Sequence, residues 1–191
     1  MTIVLGSSSP WRQALLREMG YDFRVVSPDL DEQSIRRDDP RELVRALAEA
    51  KARAVAAKLA EPALVVAADQ VMTHGGVIRE KPRGADEARH FLRTAHQAPL
   101  ETVSAVAVLD PATGRLASDT DVVRLEVEPI PDETIERLLE QGEVLYCAGG
   151  MRFEDPLLQP HIRRMDGTLD SVMGLPKALT ERLLREVSGG A

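Results

Sequence analysis

Residues 7–12 read Ser-Ser-Ser-Pro-Trp-Arg and follow a short apolar strand at residues 3–5. Ser9 is a favourable helix N-cap, and Pro10 suits the first helical position. A strand, turn and helix in this order direct backbone N–H groups and the positive end of a helix at one point, which suits a phosphate. The serine hydroxyls and the Arg12 guanidinium add hydrogen-bond donors. This opening turn therefore predicts a phosphate-binding site.

Lys51 lies within the apolar stripe of a predicted helix, formed by Val44, Leu47, Ala54 and Val55. A lysine on such a face either extends its ammonium to water along the protein surface or directs it into a polar cavity. In the second case the ammonium could neutralise phosphate oxygens. Both interpretations are open from the pattern alone.

Asp69 directly follows the apolar run at residues 63–68, which predicts a buried strand ending at Asp69 and Gln70. In α/β folds, ligands gather at the carboxyl ends of strands. A carboxylate there can bind a divalent metal or accept a proton from water. The alternative is an aspartate that only caps a turn or a helix.

The segment 27–39 is polar and acidic and is expected to be a loop, with carboxylates at Asp29, Asp31 and Glu32. Such loops are usually just solvated, but one carboxylate here could help to hold Mg²⁺ or Mn²⁺. Lys81, after a short strand-like segment, is by itself an ordinary surface lysine.

Strands and helices alternate along the chain, which predicts an α/β fold with a mixed sheet. An Asp39-Pro40 pair marks the start of a helix that runs to about residue 59. The other predicted helices span residues 85–95, 132–142 and 176–187, and the other predicted strands span residues 23–26, 103–109, 122–127 and 162–165.

The composition excludes several classes of protein. The chain has 191 residues and a formal net charge of −7, which argues against nucleic-acid and anionic-membrane partners. The longest apolar run, residues 63–68, is too short to span a membrane. A single cysteine, Cys147, excludes an intrachain disulfide. We expect a cytoplasmic protein whose partner is a small molecule.

Seven short motifs together resemble one family, the Maf-like nucleoside triphosphate pyrophosphatases, across essentially the whole chain. Each motif alone is weak evidence for the family, but the occurrence of all seven in this order is specific evidence. The motifs are Ser-Ser-Ser-Pro-Trp-Arg at 7–12, Asp31-Glu32, Ala50-Lys51-Ala52, Ala68-Asp69-Gln70, Lys81-Pro82, Cys147-Ala148-Gly149 and Ser171-Val172-Met173-Gly174-Leu175-Pro176.

The resemblance implies a single Maf/ITPase-like domain over residues 1–191, with a mixed twisted sheet flanked by helices around a central nucleotide cleft. It also implies a homodimer, a divalent metal (Mg²⁺ or Mn²⁺) and hydrolysis of a nucleoside triphosphate to the monophosphate and pyrophosphate. The family roles fall on matching positions. They are substrate binding by Ser8, Ser9 and Arg12, phosphate neutralisation by Lys51 and Lys81, metal binding by Glu32 and Asp69, and proton acceptance by Asp69.

Base selectivity can be read from three positions that match the 7-methyl-GTP group of this family: Trp11, Gln70 and Glu154. The group acting on dTTP and UTP usually carries Arg, Thr and Gln there. N7-methylated guanine is cationic, so a tryptophan face attracts it by about 0.5–2 kcal/mol, and a carboxylate accepts hydrogen bonds from its N1–H and N2–H edge. Trp11 could instead simply pack on Leu15.

The resemblance therefore predicts hydrolysis of 7-methyl-GTP to 7-methyl-GMP and pyrophosphate, which would remove modified nucleotides from the pool. Two alternatives are a dTTP/UTP pyrophosphatase and a nucleotide-binding regulator of cell division with little turnover. The chain departs from the family after Glu154, where Asp155-Pro156 replaces a glycine-containing stretch. Because proline restricts the backbone, the loop over the base is expected to differ in shape.

Overall fold

The computed structural model describes residues 2–189 and has seven strands and six α-helices within that range. The strands are Ile3–Leu5 (β1), Phe23–Val25 (β2), Leu64–His74 (β3), Val77–Arg79 (β4), Leu100–Leu109 (β5), Leu116–Val127 (β6) and Ile162–Asp166 (β7). The helices are Pro10–Glu18 (α1), Pro40–Ala56 (α2), Ala85–Thr94 (α3), Asp132–Gln141 (α4), Leu169–Val172 (α5) and Lys177–Ser188 (α6).

The strands form one mixed sheet in the order β2-β1-β3-β5-β6-β7, with β4 paired to β3. Strand β1 is parallel to both β2 and β3, whereas the β3–β4 and β6–β7 pairs are antiparallel. The predicted α/β class with a mixed sheet and flanking helices is thus confirmed. Among the described residues, no helix is long and apolar enough to cross a membrane.

The described residues group into two compact units. Unit 1 comprises residues 2–69, 104–121 and 174–189, and unit 2 comprises residues 70–103 and 122–173. The chain passes from one unit to the other within β3, β5 and β6, and between α5 and α6. The assignment of residues 1–191 to a single domain stays a prediction.

Unit 1 is organised by α2 and by the first parallel strands. The Asp39 carboxylate caps α2 by accepting hydrogen bonds from the backbone N–H groups of Arg41 and Glu42, as the Asp39-Pro40 signal predicts. Gly6 follows β1 and donates to the carbonyl of Val66 at 2.8 Å. A Cβ at this glycine would lie 3.1 Å from a Val55 methyl group, so α2 packs closely on this strand end.

Unit 2 has its own hydrophobic core, which includes Met72, Leu92, Leu125, Ile135 and Phe153. Its helices α3 and α4 are joined by a bidentate ion pair in which Arg89 donates to both carboxylate oxygens of Glu136, at 2.6 and 2.9 Å. A guanidinium that donates two hydrogen bonds to one carboxylate fixes the relative orientation of the two side chains and also attracts the carboxylate electrostatically.

The expectation that the third strand ends at Asp69 and Gln70 is wrong. β3 continues to His74 and turns through Gly75 and Gly76, both with positive φ, into the antiparallel β4. Residues 71–73 (Val-Met-Thr) are buried and favour extended backbone, so two polar residues do not interrupt the strand. Asp69 therefore lies within a strand and not at its end.

Candidate active site

The opening turn of unit 1 is held by its own serines. The Ser7 hydroxyl accepts a hydrogen bond from the backbone N–H of Ser9 at 3.2 Å, and Ser7 is buried. Ser9 is the N-cap of α1, and its hydroxyl accepts from the backbone N–H of Arg12 at 3.4 Å. Ser8 is exposed. The predicted strand–turn–helix is confirmed, and its exposed hydroxyl at the helix start suits an anion.

Arg12 is half-buried and binds main chain in this structure. Its Nε donates to the Gly174 carbonyl at 3.0 Å, and its Nη1 donates to the Ala68 carbonyl at 2.6 Å. Burial lowers the pKa of Arg12, whereas the nearby carboxylates of Asp69 and Glu32 raise it. A guanidinium stays protonated in proteins. Arg12 thus connects α1, the centre of β3 and the segment before α6, and its charge lies close to Asp69.

Lys51 directs its ammonium into a polar cluster. Only 8 % of its side chain is exposed, and its Nζ lies 2.5 Å from Oδ1 of Asp69 and 2.9 Å from Oε2 of Glu32. The alternative of an ammonium extended to water is therefore wrong. The ammonium, which carries three donors, donates a hydrogen bond to Asp69 and forms an ion pair with Glu32.

Asp69 is buried on β3 beside two cations, Lys51 and Arg12. Burial raises the pKa of Asp69 above its ordinary value, and the attraction of Lys51 and Arg12 opposes that rise. The turn-capping alternative is wrong because the strand continues through this residue. A partly desolvated carboxylate with a raised pKa is suited to accept a proton near neutral pH.

The three carboxylates that the sequence singled out in the 27–39 loop have different partners. Asp29 forms an ion pair with Lys58 and accepts from the Ser27 hydroxyl, and Asp31 caps a short 3-10 helix by accepting from Gln33. Glu32, the first residue of that 3-10 helix, reaches Lys51. The structure thus brings Glu32, Lys51 and Asp69 together.

The donor set of this cluster fits a hard divalent cation. The Glu32 and Asp69 carboxylates already converge on one positive charge, the Lys51 ammonium. Mg²⁺ prefers oxygen ligands and often takes one or two carboxylates together with substrate phosphates and water. No group of three or more metal-ligating side chains occurs among the described residues.

The remaining expected site residues belong mostly to unit 2, while Trp11 is a half-buried residue of α1 in unit 1. The Gln70 amide donates to the carbonyls of Ser171 and Val172, at 3.2 and 3.0 Å, and so holds α5.

Lys81 is exposed on a bend just after β4. The Glu154 carboxylate is 18 % exposed and accepts from Nε of Arg152 at 3.1 Å.

Three residues have local roles that the sequence did not assign to them. Ser7 was expected only as a further donor at the opening turn, whereas its hydroxyl accepts a hydrogen bond that shapes the turn. Arg152 and Asp155 contact each other beside Glu154, with Nη1 of Arg152 lying 3.4 Å from Oδ2 of Asp155. The available signals were the opposite charges close together at residues 152–155 (Arg-Phe-Glu-Asp) and the Asp155-Pro156 departure from the family pattern.

Comparisons with known proteins find relatives along nearly the whole chain. The chain is 37% identical to a 7-methyl-GTP pyrophosphatase of Dictyostelium discoideum over 97% of both chains. It is 30% identical to a dTTP/UTP pyrophosphatase of Alkaliphilus metalliredigens, covering 91% of this chain and 90% of that one. A solved HAM1 protein from Coxiella burnetii shares the fold, with a TM-score of 0.54 at 14% identity and full coverage of both chains. The profile of the family described as Maf-like protein matches residues 2–187, and the chain therefore belongs to the Maf-like protein family.

Proposed function

We propose that this protein is a nucleoside triphosphate pyrophosphatase that cleaves the bond between the α- and β-phosphates. The observation that carries the proposal is the buried Lys51 ammonium between the Asp69 and Glu32 carboxylates. A protein that only binds nucleotides, without hydrolysing them, does not need a desolvated carboxylate such as Asp69 beside two cations. The pyrophosphatase names of the family relatives support the same reaction.

In the proposed reaction the protein mainly positions its substrate and stabilises charge. The exposed Ser8 hydroxyl and the N-terminus of α1 bind phosphate oxygens, and the Lys51 ammonium binds another. Water attacks the α-phosphorus, its proton passes to Asp69, and the α–β phosphoanhydride bond breaks so that pyrophosphate leaves. Lys81 is proposed to neutralise charge on the phosphates.

We further propose that Glu32 and Asp69 hold Mg²⁺ or Mn²⁺ together with the substrate. When bound, such an ion neutralises phosphate oxygens and lowers the pKa of nearby water. The two carboxylates that converge on Lys51 support this assignment.

The proposed substrate is 7-methyl-GTP. The family resemblance assigns base recognition to Trp11, since an aromatic face attracts a cationic purine, and to Glu154, since a carboxylate accepts from the N1–H and N2–H edge. The Dictyostelium relative bears the same substrate in its name. Unmethylated GTP lacks the positive charge, so we expect selectivity of roughly tenfold or more for the methylated nucleotide.

The second candidate is a dTTP/UTP pyrophosphatase, which the Alkaliphilus relative favours by its name. Pyrophosphate release from 7-methyl-GTP, GTP, dTTP, UTP and CTP, each with Mg²⁺ and with Mn²⁺, separates the two. Fast release from 7-methyl-GTP alone supports the first proposal, and fast release from pyrimidines supports the second. No pyrophosphate release from any of the five nucleotides would contradict both candidate functions and favour the alternative of a nucleotide-binding regulator with little turnover.

We also propose that the protein is a homodimer and that it is cytoplasmic.

A further inference from the structure

We propose that Arg152 and Asp155 form a positioning pair that orients Glu154 and sets the charge of its surroundings, and thereby sets the selectivity for a methylated over an unmethylated purine. This inference rests on the proposed function, because it concerns how Glu154 recognises the base. Neither Arg152 nor Asp155 touches the reacting phosphates in this assignment.

The first observation is the geometry of the three side chains. The Arg152 guanidinium donates through Nε to Oε1 of Glu154 at 3.1 Å and through Nη1 to Oδ2 of Asp155 at 3.4 Å. Arg152 is 20 % exposed, Glu154 18 % and Asp155 only 2 %. A planar guanidinium held at two points fixes the direction of the carboxylate it binds. Glu154 uses one of its roughly four lone-pair positions in this contact, so the others can accept from a base.

The second observation is that Asp155 is itself fixed by the local backbone. Its Oδ1 accepts from the backbone N–H of Leu157 at 2.8 Å, and its carbonyl accepts from the N–H groups of Leu158 and Gln159, both at 2.9 Å. Its own N–H donates to the Arg152 carbonyl at 2.9 Å. The buried aspartate thus holds a tight turn and presents Oδ2 to Arg152 from a rigid support.

The third observation is the charge balance. Arg152 contributes one positive charge and the two carboxylates contribute two negative charges, which leaves a net charge of −1. If Glu154 faced Arg152 without Asp155, the two charges would cancel, and this side of the site would attract a cationic base little more than a neutral one. The buried charge of Asp155 restores the attraction for 7-methylguanine. Asp155 stands at the start of the stretch that departs from the glycine-containing family pattern.

The decisive variant is Asp155→Asn. Asparagine keeps the Oδ1 acceptor for Leu157, and with it the turn, but removes the negative charge. We expect kcat/KM for 7-methyl-GTP relative to GTP to fall about fivefold, because one charge near the base is lost. The inhibition constant of inorganic tripolyphosphate, which has no base, should stay at the wild-type value. An unchanged ratio of the two nucleotides would overturn the charge-balance part of the proposal.

A second variant, Arg152→Gln, tests orientation and guards against a folding defect in the first. We expect KM to rise about tenfold for both purine nucleotides with kcat nearly unchanged, since one charge-assisted hydrogen bond on Glu154 is lost. Their ratio should not fall, because the net negative charge is retained. A matched control is Arg163→Gln, which removes an exposed arginine of the same unit that lies 3.8 Å from Glu126 and Glu128. Wild-type KM in Arg152→Gln would overturn the positioning role.

Failure of the proposed function looks different from failure of this inference. If the wild-type protein releases pyrophosphate only from pyrimidine nucleotides, the substrate assignment fails and this inference fails with it. If the wild type selects 7-methyl-GTP but both variants behave like the wild type, the substrate assignment stands and only the role of Arg152 and Asp155 is wrong.

Discussion

The Lys51–Asp69 pair is the most informative contact at the scale of single residues. A buried ammonium is costly unless carboxylates and hydrogen bonds compensate its charge, and here Asp69 and Glu32 do so. Such pairs are weak evidence for stability, because desolvation offsets their attraction. The arrangement is better explained by chemistry that needs a cation and a proton acceptor side by side.

The first residue-scale prediction concerns Asp69→Asn. The amide cannot accept the proton of water, so kcat should fall by roughly 10²–10⁴-fold. Binding of the nucleotide without metal, measured by titration calorimetry, should stay nearly unchanged. Asp119→Asn is a matched control, because Asp119 forms an exposed ion pair with Arg182 in the same unit. Near-normal turnover in Asp69→Asn would show that the proton acceptor is another group.

The second residue-scale prediction concerns Lys51→Ala. Removing the ammonium leaves two carboxylates close together without their shared cation, and removes a donor for phosphate. We expect the rate or the triphosphate affinity to drop about tenfold or more without loss of the fold. Circular dichroism and steady-state kinetics check this. A large gain in unfolding free energy with unchanged activity would instead identify Lys51 as a strained core lysine.

The third residue-scale prediction concerns Cys147. Burial, with a further contribution from the Glu154 carboxylate, raises the pKa of this thiol to about 12. Because a raised pKa leaves less thiolate at any given pH, alkylation by iodoacetamide at pH 8 should be much slower in the folded protein than in the urea-unfolded chain. Equal rates in the two states would contradict this assignment.

At the scale of elements, Arg12 binds together three segments of unit 1. It was expected to bind phosphates, but two of its donors go to the carbonyls of Gly174 and Ala68. The sequence could not show this, because the carbonyl acceptors lie far away along the chain. Likewise β3 continues past Asp69 since pairing with β4 overrides the local polar signal of Asp69 and Gln70.

The element-scale prediction concerns Arg12→Gln. Two charge-assisted hydrogen bonds are lost and their carbonyls stay buried, so the free energy of unfolding should fall by about 3 kcal/mol. Urea denaturation measures this loss. If Arg12 acts mainly by positioning β3 and Asp69, kcat should fall while the inhibition constant of tripolyphosphate changes little. A large change in that constant with unchanged stability would indicate direct phosphate binding.

At the scale of the whole molecule, local signals predicted most of the architecture. Caps and breakers such as Asp39-Pro40 and Gly75-Gly76 mark element ends directly, and alternation of strands and helices indicates the α/β class. What local signals could not show is which side chains meet across long sequence separations. Lys51 and Asp69 each had two open interpretations until the structure placed them 2.5 Å apart.

The molecule-scale prediction is the oligomeric state. The family resemblance predicts a homodimer, so sedimentation equilibrium should give about twice the chain mass of 20.9 kDa. Dilution over a hundredfold range then measures the dimer dissociation constant. A mass of one chain at all concentrations would show that this family expectation does not extend to this protein.

The most direct test of the central claim is to run the reaction of 7-methyl-GTP in ¹⁸O-labelled water and analyse both products by mass spectrometry. Attack at the α-phosphorus predicts pyrophosphate without label and 7-methyl-GMP carrying one ¹⁸O atom, with the reaction lost in Asp69→Asn. Label in pyrophosphate, or formation of a diphosphate and inorganic phosphate, would contradict the proposed reaction.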